Sequence, residues 1–164
     1  MSIQTKNATE QALADGKLFS VAHTTASIAA AGTYLVGFLT GARAVEFLDR
    51  YYNSTLNSAD IALYEVTWSG GTPIPSGNRN FEIGGVASST FSAAPTATIA
   101  GNPVATVKLL AGAGTGNAQI GLVSESERYI LKKNTRYVLQ VTNTDVGAGV
   151  VTFRYTFRDT EVVL

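Results

Sequence analysis

The stretch Val150-Val151-Thr152-Phe153-Arg154-Tyr155-Thr156-Phe157-Arg158 decides the fold. Side chains alternate across an extended chain, so Val151, Phe153, Tyr155 and Phe157 share one face and Thr152, Arg154, Thr156 and Arg158 the other. One apolar and one polar face is the pattern of a half-buried strand in an antiparallel sheet. The segment before it, Arg136 to Asn143, repeats the pattern. Tyr137, Leu139 and Val141 share one face, and Val138 and Gln140 the other. Lys132-Lys133-Asn134-Thr135 is a tight turn after Tyr129-Ile130-Leu131, and Asp145-Val146-Gly147-Ala148-Gly149 is a second turn.

Working outward, the same pattern covers most of the chain. Phe19 and Val21 alternate with Ser20 and Ala22. Tyr34 to Thr40, Ala44 to Tyr52, Ile61 to Trp68 and Ala105 to Leu110 are short blocks rich in β-formers. Between them lie the Gly41-Ala42 turn, the polar loop Asn53 to Asp60 and the stop Ser69-Gly70-Gly71-Thr72-Pro73. In the middle, Asn80 to Ile83 and Thr96 to Ala100 are candidate short strands joined by long connections. Ala118 to Val123 is another, after the flexible turn Gly112 to Asn117. After residue 18 no helical period runs for long, so the crossover helices of an α/β fold are missing. The expectation is all-β: an antiparallel β-sandwich of roughly eight to ten strands, jelly-roll-like in connectivity.

Residues 1–17 differ. Asn7-Ala8-Thr9-Glu10-Gln11-Ala12-Leu13-Ala14 favours a short helix ending at Asp15-Gly16, with Asn7 and Glu10 placed for a capping box. The chain therefore divides into an N-terminal arm or helix, 1–17, and a sandwich domain, 18–164.

Composition limits the chemistry. The chain has 164 residues, 12 basic and 12 acidic, for a formal net charge of +0. That balance argues against nucleic acid as the partner. No Cys and a single His exclude disulfides, thiolate zinc sites and multi-His metal centres. The expectation is therefore no cofactor and no resident metal. No apolar run reaches the roughly 20 residues of a membrane span, and the N-terminus, Met1 to Asn7, is polar, so the expected site of synthesis is a cytosol. Without a secretory signal, the glycosylation-like triplets Asn7-Ala8-Thr9 and Asn53-Ser54-Thr55 read as coincidence.

Candidate chemical groups each have a structural explanation. Gly112-Ala113-Gly114-Thr115-Gly116 lacks the Lys-Ser/Thr ending and following helix of a phosphate loop. His23 shares a face with Phe19 and Val21 and reads as a buried, hydrogen-bonded side chain, and no Gly-x-Ser-x-Gly elbow accompanies it. Glu46, Asp49, Glu65 and Glu82 are the carboxylates placed for acid–base work, with Glu46 facing Glu65 if their strands are neighbours. Arg43, Arg50 and Arg79 offer them ion pairs instead, and no calcium-loop spacing is present. Tyr34, Tyr51, Tyr52, Tyr64, Trp68, Tyr137 and Tyr155 could form a sugar-stacking platform or pack in a core. Tyr51 and Tyr52 cannot both point inward, so one belongs to a surface or interface. Arg154 and Arg158, on the polar face of the last strand, are placed for a solvated face or a neighbouring subunit.

The run Tyr129-Ile130-Leu131-Lys132-Lys133-Asn134-Thr135-Arg136-Tyr137-Val138-Leu139-Gln140-Val141-Thr142-Asn143 resembles the capsid decoration, or cement, proteins of tailed bacteriophages. Ala12 to Val21 and Ser69 to Pro73 fit the same pattern, so the resemblance spans most of residues 12 to 158. Lys133 stands where that family has Pro. The resemblance implies a non-enzymatic virion protein on the capsid exterior, made in the host cytoplasm, that bridges major capsid subunits, often as a homotrimer. Ile3, Leu13, Tyr51, Tyr52, Arg154 and Arg158 are the interface candidates under it. The alternatives are a carbohydrate-binding or fibre- or tail-associated module, and a hydrolase using Glu46, Glu65 or His23.

Overall fold

The computed structural model describes residues 8–80, 82, 84–110, 118–120 and 129–160. A short helix, α1 (Ala8–Ala14), precedes β1 (Leu18–Thr24), β2 (Thr33–Leu39), β3 (Ala44–Ser54) and β4 (Ser58–Tyr64). An insertion of short strands follows: β5 (Trp68–Ser69), β6 (Thr72–Ile74), β7 (Ser76–Asn78), β8 (Thr90–Ala93) and β9 (Thr96–Ala97). The chain closes with β10 (Ala105–Leu110), β11 (Ala118–Ile120), β12 (Tyr129–Leu131), β13 (Arg136–Asn143) and β14 (Val151–Thr160).

The long strands pair as nested hairpins, first with last. β1 pairs β14, β2 pairs β13, β3 pairs both β11 and β12, and β4 pairs β10, all antiparallel. Interleaving these hairpins gives one sheet in the order β11-β3-β14-β1-β7, with β12 also on β3, and a second in the order β10-β4-β13-β2-β8-β6. Nested pairing split between two facing sheets is the connectivity of a jelly roll. The alternation in the last strands determines what each face does. Val151, Phe153 and Phe157 are fully buried and Tyr155 nearly so, while Arg154 is exposed. Thr156 on the polar face is buried as well, a short side chain flanked by Ser20 and Asp49 on the adjoining strands.

The insertion covers edges that a bare eight-strand sandwich would leave open. β7 extends the first sheet beyond β1, and β8 with β6 extends the second beyond β2. Pro73 sits in the outermost strand, where a missing N–H costs no ladder bond. β5 and β9 form a small separate ribbon. Trp68 on that ribbon lies on Gly37, where an added Cβ would come within 2.7–2.9 Å of the indole. Val138, opposite Gly37, is fully buried although it points away from the core. Asn80 and Glu82 lie outside any strand, whereas the sequence predicted one over 80–83 (Phe81 and Ile83 are outside the described residues). The predicted strand Thr96 to Ala100 shortens to Thr96–Ala97, and Ala118–Ile120 is a strand. The predicted turn over 112–117, residues 121–123 and the proposed helix cap Asn7 lie outside the described residues.

One irregularity sets the facing of β3. The register slips between Thr156 and Phe157: Thr156 pairs Asp49 and Phe157 pairs Phe47, leaving Leu48 without an opposite residue. Val45 and Phe47 point inward before the bulge, and Tyr52 does so after it. Leu48 is turned outward, where it is buried with Leu18 and with Ala12 of α1. The helix is thus seated on the outer face of the first sheet. It ends in a Schellman motif, with Gly16 at φ 64° and bonds from Gly16 N to Leu13 O and Lys17 N to Ala12 O.

Asn143 fastens the loops at one end of the sandwich. Its side chain is fully buried, and Nδ2 lies 2.7–3.0 Å from the carbonyls of Ile28, Ala29 and Gly147, while Oδ1 accepts the Asp145 N–H. Asn143→Ala leaves these groups without their partner and is expected to cost about 2–4 kcal/mol in urea unfolding. A loss below about 0.5 kcal/mol, the range of an ordinary surface substitution, would contradict this role.

Candidate functional site

The bulge in β3 separates the neighbouring tyrosines. Tyr52 points into the core, 2% exposed, and its hydroxyl lies 2.8 Å from that of Tyr155. It belongs to the sandwich interior and not to the surface expected for it. Burial pushes both phenols up, Tyr155 well above the usual range, so the pair stays neutral. Arg50 faces the same region, buried, with its guanidinium 4.4 Å from the centre of the Tyr129 ring. Tyr51 points outward, opposite Arg154, whose guanidinium lies 5.5 Å from the Tyr51 ring centre.

The carboxylates are dispersed. Glu46 lies in β3 of the first sheet and Glu65 directly follows β4 of the second, so they do not face each other on adjacent strands. Glu46 is buried and receives the Arg158 Nε–H at 2.6 Å, directly across the ladder. Glu65 receives the Lys132 ammonium at 2.8 and 3.0 Å, and this contact raises the lysine's pKa. Asp49 is half-buried on the outer face of the first sheet, and Glu82 is exposed. No group of three or more His, Asp or Glu able to hold a metal ion occurs among the described residues. His23 stacks on Tyr34 and meets Phe153 at a tilt, with Nε2 3.1 Å from the Tyr34 hydroxyl.

The N-terminal helix offers a different kind of site. Asn78 Nδ2 donates to Gly16 O at 2.8 Å and Gly84 O at 3.0 Å, and Asn80 Nδ2 donates to Leu13 O at 2.8 Å. Asn80 N–H is in turn held by Asn78 Oδ1. These bonds join the end of α1 to the loop after β7. Leu13, in the last turn of α1, is 40% exposed, and Val86, two residues after the bonded Gly84, is 94% exposed. Ile3, the other arm residue singled out from sequence, is outside the described residues.

No protein-family model matches this chain, and no curated protein sequence matches it.

The junction was half visible in the sequence. Leu13 stood out as an apolar residue on a short helix, whereas Val86 is a lone apolar side chain after Gly84-Gly85 whose meaning depends on which element packs beside it. Tyr51, Arg154 and Arg158 do share the outer face of the first sheet, but Arg158 is committed to Glu46.

His23 also sets a pH dependence. Burial lowers its pKa below the ordinary 6.5, so the unfolded chain takes up the proton first as pH falls. Stability is expected to be full above about pH 7 and to decline as pH drops through about 6.5 towards the folded-state value. His23 is the single histidine, so His23→Gln should flatten urea midpoints between about pH 7.5 and 5.5. A slope unchanged in that variant would contradict the assignment.

Proposed function

We propose that this chain is a structural virion protein that sits on the outer surface of a tailed-phage capsid. In this reading it bridges neighbouring major capsid subunits as a homotrimer, acting by contact and not by bond chemistry. The observation that carries the reading is the junction of α1 with the loop after β7. Leu13 is partly exposed and Val86 almost fully so, on segments whose Leu13, Gly16 and Gly84 carbonyls are held by Asn78 and Asn80. A large apolar side chain moved from water into an interface gains about 1.5–3 kcal/mol, and a fixed backbone lowers the ordering cost of binding. The resemblance of residues 12 to 158 to decoration proteins supplies the partner class. The balanced charge favours a protein partner over nucleic acid. The ion pairs of Glu46 with Arg158 and Glu65 with Lys132 give these carboxylates structural roles on the sandwich.

Co-sedimentation with shells of the phage whose genome carries the gene tests the proposal. Leu13→Asp combined with Val86→Asp is expected to weaken shell binding by more than about tenfold at an unchanged urea midpoint. Equal sedimentation of parent and double variant would overturn this surface, and a parent that does not sediment with shells would remove the capsid as partner.

A further inference from the structure

We infer that α1 is a strap that opens from and closes onto the first sheet while the sandwich stays folded, the docked helix being its closed state. α1 and the surface that seats it carry this inference, whatever partner the protein binds.

A helix of seven residues makes too few hydrogen bonds to offset the cost of its first turn, and helices shorter than about 12–15 residues are marginal alone. α1 is therefore helical because it is seated. The seat is small. Of residues 10–15, Ala12 alone is buried, in a cluster with Leu18 and Leu48. Beside that contact the helix stands off the sheet. A gap of about 180 Å³ is lined by Gln11 and Asp15 from the helical segment and by Arg43, Arg158 and Thr160 from the first sheet and its approach. α1 covers this part of the face without packing on it.

The fastenings differ along the segment. Asn78 Nδ2 donates to Gly16 O, two residues before β1, and this end stays with the sheet. Asn80 Nδ2 donates to Leu13 O, on the helix itself. The turn at Gly16 is thus the hinge, and the Asn80 bond with the Ala12 contact is the catch. By contrast, β1 is paired with β14 on one side and β7 on the other, and its Phe19 and Val21 lie in the main core. An element with few buried apolar contacts opens locally at a lower free energy than strands held in this way. Opening uncovers Leu18 and Leu48 beside the Glu46–Arg158 pair, an apolar patch that the closed strap keeps from water.

The test is native-state amide exchange of the full chain at urea concentrations below its unfolding transition. Amides of α1 are expected to exchange at least about 100-fold faster than those of β14, at a rate that urea leaves unchanged, because a local opening exposes little surface. Exchange of α1 as slow as that of β14, and rising with urea in parallel with it, would overturn the inference. Ala12→Asp puts a charge into the seat and should hold the strap open. Cα shifts of residues 10–14 should then move to random-coil values while those of β13 and β14 stay as in the parent. A helix that persists in this variant, or β14 shifts lost together with the helix, would also overturn it.

Discussion

The two sheets are held together by one cluster of aromatic rings, and the rest of the structure is arranged around it. Phe38 of β2 stacks on Phe91 of β8 with ring centres 4.4 Å apart and meets Phe47 of β3 at 5.5 Å. Phe157 of β14 completes the cluster, contacting Phe19, Phe47 and Phe91 at 5.7, 6.3 and 5.5 Å. The rings come from the first strands, the last strand and the insertion, so the cluster forms only when distant parts of the chain have met. Offset and tilted rings at these distances add about 0.5–1.5 kcal/mol per pair beyond their buried area. Phe91 explains why the insertion between β4 and β10 lies against the sandwich: it contributes a ring to the core as well as strands to the edges.

The bulge at Leu48 follows from the same constraint. Phe47 must face Phe157, and two inward residues later Tyr52 must reach Tyr155. A strict period of two from Phe47 would bring Tyr51 inward and expose Tyr52. The extra residue corrects the phase, and the displaced Leu48 provides the contact on which α1 rests. A core requirement thus places the helix, and Asn78 and Asn80 tie its end to the loop after β7.

Much of this architecture was legible in the residues. The alternation of Val151, Phe153, Tyr155 and Phe157, and of Tyr137, Leu139 and Val141, reads directly as inward faces, because periodicity is a local signal. The helix ending at Asp15-Gly16 was legible for the same reason. The insertion was less so: its strands are two to four residues long, too short to show a period, and they are defined by pairing with β1, β2 and each other. The bulge left a trace in the adjacent apolar pair Phe47-Leu48, but only the register with β14 shows which of the two faces inward. The expected opposition of Glu46 and Glu65 failed for a topological reason, since consecutive strands of a jelly roll alternate between sheets.

The molecule therefore divides its labour. A pair of sheets is fixed by rings at its centre, and α1 is attached to the outside of one of them. Hydrogen–deuterium exchange, free and in the presence of shells, tests that division directly. The slowest exchange is expected in β3, β13 and β14 of the free protein. New protection on shell binding is expected at α1 and at residues 84–87. Protection confined to other surfaces, or exchange in free α1 as slow as in β14, would contradict it.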